Sequence, residues 1–193
     1  MPSISVIVIN FDGRQWLPDC LDALAAQRDA PPFETVVVDN GSTDGSVAFL
    51  RTRYPGVRVI ETGSNLGFAA GNNAGVRAAH GEWIAFLNND TVAEPDWLAR
   101  LWCAQAAHPE FALMTSRLVF MHDASIVDSA GDGYLRAGGA FKHGYGAPAA
   151  AFETSREVFG ACGGAFMIRR DAFDALGGFD DRFFMVYEDV DLS

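Results

Sequence analysis

Over its first 120 residues the chain alternates between short unbroken apolar runs and longer segments with helical spacing. The run ISVIVI, residues 4–9, is rich in β-branched residues, which predicts a strand buried on both faces. FETVVVD, VRVIET and EWIAFLN predict three more strands at 33–39, 57–62 and 82–88. ALMTSRLVF, at 112–120, predicts a fifth. Between the first two, residues 14–27 place Trp16, Leu17, Cys20, Leu21 and Leu24 at helical spacing. Ser42 or Asp44 suits the cap of a helix through SVAFLRTRY, which Pro55-Gly56 ends. Residues 69–79 read as a helix entered through a glycine-rich turn, and Pro95 opens another through DWLARLWCAQAAH.

Strands alternating with helices over short connections imply a mostly parallel sheet between helices, an α/β architecture. Residues 121–157 lose this periodicity and are rich in Gly, Ala, His and Asp. They predict a long loop with a short hairpin within YLRAGGAFKHGYG. Patterning returns at CGGAFMIRR, a strand, and DAFDAL, a short helix. The expected organisation is one domain in two parts, 1–120 and 121–193.

In open α/β sheets ligands bind beyond the carboxyl ends of the strands. Four successive strand ends here carry polar turns: Asn10-Phe11-Asp12-Gly13, DNGSTDGS from Asp39, GSNLGFAAGNNAG from Gly63, and NNDT from Asn88. Any one of these is ordinary turn and cap chemistry. Four in sequence order point to a shared site. Neither a P-loop nor a GxGxxG after the first strand is present.

The net charge of −11 argues against a nucleic-acid partner. Cys20, Cys103 and Cys162 are far apart and form no CxxC pair, so neither a disulfide framework nor a zinc site is expected, and a reducing cytosol fits. No signal peptide and no apolar run of about 20 residues is read from the chain. The expected location is cytoplasmic, with peripheral docking at the inner face of a membrane open to the full-length protein.

The stretches SVIVINFDG, VVVDNGSTDGS, SNLGFAAGNNAG, WIAFLNNDT, GGAFMIRRDAFDALGGFDDRFF and YEDVDL together resemble the inverting family-2 glycosyltransferases of GT-A fold, in the family's order and over nearly the whole chain. SNLGFAAGNN and LNND look most like bacterial rhamnosyltransferases of cell-surface polysaccharide synthesis. The resemblance implies a GT-A-type nucleotide-sugar-binding fold, truncated at its C-terminus. It implies transfer of a sugar from a nucleoside diphosphate donor, of dTDP-rhamnose or UDP-sugar type, to a hydroxyl of a saccharide or lipid-linked acceptor. Asp39 and Asn40 would serve the nucleobase, with Asn10 and Asp12 lining the same pocket and Asn65, Gly71 and Asn72 near the nucleoside or sugar. Asn88-Asn89-Asp90 stands at the family's DxD motif, so Asp90 would bind Mg²⁺ or Mn²⁺, assisted by Asn88. Hard cations of this kind prefer oxygen ligands.

YEDVDL matches the family's ED motif. Asp189 is expected as the base that deprotonates the acceptor, Glu188 as a positioning group and alternative base, and Asp191 as a brace. Apolar neighbours suit a carboxylate that must accept a proton near neutral pH. Two other readings stay open: a nucleotidyltransferase, although NFDGRQW lacks that class's glycine-rich basic loop, and an inactive nucleotide-sugar-binding fragment.

Overall fold

The computed structural model of the protein describes residues 2–193. Three strands, β1 (Ile4–Asn10), β2 (Phe33–Asp39) and β3 (Arg58–Glu61), follow the apolar runs, and α1 (Leu17–Ala25), α2 (Ser46–Arg53) and α3 (Gly67–Ala78) come after them in turn. β4 (Trp83–Asn88) leads to α4 (Trp97–Ala107) and β5 (Leu113–Thr115). The helices start close to their sequence signals: Pro18 sits in the first turn of α1, where a missing N–H costs nothing.

The predicted fifth strand divides. β5 stays in the main sheet, whereas β6 (Leu118–Phe120) leaves it to pair with β7 (Asp123–Ser129). The division falls at Ser116, whose hydroxyl accepts the Trp97 indole N–H at 2.8 Å. The predicted long loop is likewise corrected. It contains β7, the hairpin β8 (Asp132–Leu135) and β9 (Gly139–Lys142), and a 3-10 turn at Ala149–Phe152. The hairpin lies inside the stretch expected to hold one. β7 escaped notice because its first half is exposed and polar, so no apolar alternation marks it. β10 (Ala165–Arg169), α5 (Arg170–Leu176) and α6 (Glu188–Leu192) complete the chain.

The main sheet has the order β3-β2-β1-β4-β10-β5. β1, β2, β3 and β4 are parallel, and β10 runs antiparallel between β4 and β5. Register carries the functional consequence. Asn10 lies opposite Asp39, Ile9 opposite Asn88, and Asp39 opposite Glu61. Four strands therefore end on one line, and the polar turns that follow them must meet.

Side-chain alternation splits the core into two layers. Ile4, Val6 and Val8 face Leu17, Leu21 and Leu24 of α1 and Leu98 and Leu101 of α4. Ile7, Val36, Ile84 and Phe86 face Ala69 and Val76 of α3, Phe173 of α5 and Leu192 of α6. In the second layer Phe86, Phe166, Phe173 and Phe179 pack ring on ring, with centroids 4.8–6.3 Å apart. Among the described residues no helix is long and apolar enough to cross a membrane.

Phe179 carries the chain from α5 back toward α6. Gly177 and Gly178, both at left-handed φ near +80°, make the turn possible. Asn73 of α3 then brackets Phe179: its Oδ1 accepts the Phe179 N–H at 3.1 Å and its Nδ2 donates to the Phe179 carbonyl at 2.8 Å and to Asp181 at 2.7 Å. Asn73→Ala leaves two buried backbone groups unpaired, at a cost of about 1–3 kcal/mol. Urea denaturation should show that loss as a lower midpoint with an unchanged slope; a midpoint equal to wild type would remove the bracket from the account.

Candidate active site

Asn10 is the hub of the strand ends. Its fully buried side chain donates to Asp39 Oδ2 and to Ser42 Oγ, both at 3.1 Å, and accepts from Asn89 Nδ2 at 2.8 Å. One amide thus ties β1, β2 and β4 together. Asp39 Oδ1 accepts the Ser42 N–H at 3.0 Å, closing the turn after β2. Asp12, exposed and at φ +47°, accepts the N–H groups of Thr43 and Asp44 at 2.6 and 3.2 Å. The first two loops are therefore sewn to each other. Gly13 is required where it stands: a Cβ there would lie 2.1 Å from Asn89 Nδ2.

Asn40 is a clasp. Its Nδ2 donates to Asn65 Oδ1 and the Gly67 carbonyl, both at 3.0 Å. Its Oδ1 accepts from the Leu66 N–H at 3.0 Å and the Thr62 hydroxyl at 3.2 Å. All four hydrogen-bonding positions of this buried amide are taken by the chain. Gly71 lies against Ile9 and Asn40, where a Cβ would come within 2.5 Å of Ile9 Cδ1. Asn72 is buried and donates to the Phe68 carbonyl of its own helix. Asn10, Asp39, Asn40, Gly71 and Asn72 thus form the buried frame, and Asp12 and Asn65 present exposed polar edges.

Asn88 and Asp90 differ from these. Neither side chain hydrogen-bonds with any described residue; Asp90 is exposed and Asn88 half-buried. Below them the buried Cys20 thiol contacts the Asn88 carbonyl and is pushed up to about 12, first by burial and then by the Asp90 charge, so it stays a neutral thiol. Among the described residues no three His, Cys, Asp or Glu side chains are grouped to hold a metal. One free carboxylate beside one free amide still fits a hard cation that takes its remaining oxygens from water and a diphosphate.

The candidate base arrives from the other side of the sheet edge. Gly163 and Gly164, just before β10, make the junction. The Asn88 N–H donates to the Gly164 carbonyl at 3.0 Å, and the Gly163 N–H donates to Asp189 Oδ2 at 2.7 Å. Asp189 Oδ1 also accepts the Val190 N–H at 2.8 Å. Two neighbouring glycines therefore hold Asn88 and Asp189 to one piece of backbone.

Glu188 starts α6 but turns inward; it is 5% exposed, and its Oε2 has no partner among the described residues. Burial first, and the Asp189 charge second, hold its carboxyl above the ordinary carboxylate range. Asp191, three residues on, stays exposed. Just before α6, Val186 and Tyr187 both take left-handed backbone, at φ +78° and +75°. That conformation is costly for a β-branched residue.

Sequence reasoning missed Asp132. It is buried on β8, accepts the Ser129 hydroxyl at 3.3 Å, and is pushed up to about 6, by burial first and Asp189 second. The available signal was its glycine flanks, Gly131 and Gly133, which mark close backbone approach within a strand.

Residues 5–177 match the family described as Glycosyl transferase family 2, and the chain belongs to that family. Among curated relatives, it is 34% identical over 122 residues to the O-antigen biosynthesis protein RfbC of Myxococcus xanthus, covering 62% of this chain and 10% of that protein. It is 32% identical over 102 residues to the succinoglycan biosynthesis protein ExoO of Rhizobium meliloti, covering 52% of this chain and 29% of that one. The chain therefore spans less than a third of either relative. Among solved structures it is similar to S. aureus TarS 1-349, with TM-score 0.73 at 18% identity, over 98% of this chain and 54% of that one. It is also similar to the mannosyltransferase PcManGT from Pyrobaculum calidifontis, solved with GDP-Man and Mn²⁺, with TM-score 0.67 at 22% identity, over 93% and 48%. These likenesses establish the GT-A fold expected from the sequence motifs.

Two stability measurements check this geometry. Asn40→Ala should lower unfolding free energy by about 1–3 kcal/mol, read by urea denaturation; an unchanged midpoint would mean the clasp is idle. Glu188 binds its proton more tightly folded than unfolded, so its contribution to stability is lost as pH rises through its folded value. Glu188→Gln should flatten that fall and raise Tm at neutral pH. A variant whose Tm follows the wild-type pH profile throughout would contradict the burial argument.

Proposed function

We propose that the protein is an inverting glycosyltransferase. It would transfer a sugar from a nucleoside diphosphate donor, of dTDP-rhamnose or UDP-sugar type, to a hydroxyl of a saccharide or lipid-linked acceptor in cell-surface polysaccharide synthesis. The work would be done in the cytoplasm at the inner face of the membrane. The observation that carries this reading is the glycine junction: the backbone of Asn88 and the carboxylate of Asp189 hydrogen-bond to neighbouring residues, Gly164 and Gly163. Family membership supports it, as do the ligands bound in solved structures of its neighbours: UDP and UDP-GlcNAc in TarS, and GDP-Man with Mn²⁺ in PcManGT. RfbC and ExoO are named for O-antigen and succinoglycan synthesis, which supports the polysaccharide context.

In this reading residues 1–120 bind the donor and 121–193 face the acceptor. Asp39 keeps lone pairs beyond those used by Ser42 and Asn10, so it can accept the N3–H of a pyrimidine. Asp12 and Asn65 border the nucleoside, and the Asn10 and Asn40 amides hold the loops in shape. Asp90, with Asn88 directly or through water, would hold Mg²⁺ or Mn²⁺, which when bound offsets charge on the leaving diphosphate. Asp189 takes the proton of the acceptor hydroxyl as its oxygen attacks the anomeric carbon and the bond to the diphosphate breaks. One displacement inverts that carbon. A nucleotidyltransferase is disfavoured, because Arg14, the basic residue of the first loop, lies over the Phe49 ring at 5.3 Å.

The donor site is tested by calorimetric titration of UDP, dTDP and GDP with and without Mn²⁺. One of them should bind with Mn²⁺ dependence, and Asp90→Ala should abolish that dependence; binding indifferent to both Mn²⁺ and Asp90 would sink the metal assignment. The base is tested by turnover at saturating donor. Asp189→Asn should cost ~10²–10⁴-fold in kcat while donor affinity holds. If Glu188→Gln were the crippling change and Asp189→Asn harmless, the base would be Glu188.

A further inference from the structure

Two aromatic rings at the hairpin β8–β9 are left in solvent by the fold. Tyr134 of β8 is 48% exposed, and Phe159, just before the 160–163 segment, is 56% exposed. The rings lie nearly parallel, with centroids 5.9 Å apart and planes 22° from each other. Strand alternation puts Tyr134 on the same face as Asp132, and the register sets Ala140 opposite Tyr134 and Lys142 opposite Asp132. The methyl group of Ala140 leaves most of the tyrosine ring uncovered. Phe141 belongs to the other face, where its ring fills the space over Gly133. The Tyr134 ring runs toward the hairpin turn, for a Cβ on Gly138 would lie 3.9 Å from its hydroxyl.

Backbone contacts fix this pair relative to Asp189. Asp132 and Gly160 form an antiparallel bridge: the Asp132 N–H donates to the Gly160 carbonyl at 2.8 Å, and the Gly160 N–H to the Asp132 carbonyl at 3.0 Å. The strand of one ring is thereby tied to the segment of the other. Beyond the bridge, the Ala161 N–H donates to Ser193 Oγ at 3.2 Å, and the Gly163 N–H to Asp189 Oδ2 at 2.7 Å. Gly160 lies so close to the end of α6 that a Cβ there would come within 2.6 Å of Ser193 Oγ. Phe159 stands four positions before Gly163, a reach of at most about 14 Å. The rings and the candidate base therefore belong to one connected surface.

Size and charge decide what such a pair can hold. Two side chains of about 150–250 Å² each, about half in solvent, offer roughly 200 Å². A stable protein partner takes about 800 Å² from each side, so the pair is too small for one. The net charge of −11 disfavours a polyanion. A neutral sugar ring fits both limits. Its C–H bonds present a slightly positive apolar face, which suits the negative face of an aromatic ring. Its hydroxyls need polar groups at the rim. Lys142, a diagonal neighbour of Tyr134 across the hairpin, stands there with Asp128 paired to it at 2.8 Å, and both are partly exposed. Resting on the transferase reading of Asp189, we propose that Tyr134 and Phe159 form an aromatic platform for a non-reacting sugar ring of a saccharide acceptor. That ring lies on the platform, the Lys142–Asp128 pair takes its hydroxyls, and a neighbouring sugar reaches the base. Binding energy from the remote ring then holds the attacking hydroxyl in place.

The test is an aromatic ¹H–¹³C NMR titration of this 193-residue chain with maltotriose, cellotriose and rhamnotriose, without donor or metal. At least one trisaccharide should shift the Tyr134 and Phe159 ring signals saturably. Tyr134→Leu and Phe159→Leu, both at exposed positions, should weaken that binding roughly tenfold, read on the remaining ring. Tyr134→Phe keeps the ring and should match wild type. No ring shift with any trisaccharide, equal affinity in the leucine variants, or a loss in Tyr134→Phe as large as in Tyr134→Leu would each overturn the proposal. So would ring signals that move with UDP alone, marking a nucleobase, or with protein concentration alone, marking contact between copies. A failed platform beside intact Mn²⁺-dependent nucleotide binding removes the platform and leaves the transferase reading. Sugar binding at the rings without any nucleotide binding removes the donor site instead.

Discussion

Two consecutive residues, Gly163 and Gly164, set the geometry on which the site depends. One gives its N–H to Asp189, and the other gives its carbonyl to the backbone of Asn88. A charge-assisted bond from a backbone N–H to a carboxylate is short and strong, and it fixes direction as well as distance. Side chains at these positions would press on Asp189 and on Leu118. The pair of glycines is therefore a packing requirement as much as a backbone one. It allows a helix from the end of the chain to meet a loop from the middle of the sheet.

The sheet makes that meeting possible by aligning its strand ends. In-register parallel pairing puts Asn10, Asp39 and Asn88 along one edge, and the buried amide of Asn10 fastens three of the loops that emerge there. Buried polar groups are worth their desolvation only when satisfied. Asn10 and Asn40 satisfy theirs fully with protein partners. Asp90 and Asn88 do not, and they are the more accessible groups. The division between frame and working surface thus follows from hydrogen-bond accounting. Nearby, left-handed backbone at Val186 and Tyr187 marks where the chain bends sharply to deliver α6.

Much of this was legible in the sequence. Three of the four parallel strands, β1, β2 and β4, announce themselves by apolar runs, because a strand buried on both faces needs no alternation, whereas β3 is a short edge strand with exposed ends. The site loops follow from topology, since polar turns after parallel strands share one edge. Four things were not legible. The antiparallel direction of β10 leaves no trace in an apolar run, which reads alike in either direction. β7 carries polar residues at its exposed start, so its pairing with β6 depends on tertiary contact. Asp132 sits in a tract without periodicity, and only the folded hairpin places it beside the 160–163 segment. The roles of Asn40 and Asn72 were equally hidden: an amide reads the same in sequence whether it meets a ligand or the chain's own backbone.

The central claim is that a cation and diphosphate sit at the Asn88–Asp90 turn, directly across the glycine junction from Asp189. Paramagnetic relaxation by Mn²⁺ tests this most directly. With Mn²⁺ and a bound nucleoside diphosphate, the backbone amide signals of Asn88, Asn89, Asp90, Gly163 and Gly164 should broaden beyond detection. Those of His80 and Arg169, at the opposite end of the sheet, should remain sharp, and Asp90→Ala should restore the lost signals. Broadening centred away from the strand ends, or broadening that persists unchanged in Asp90→Ala, would contradict the account.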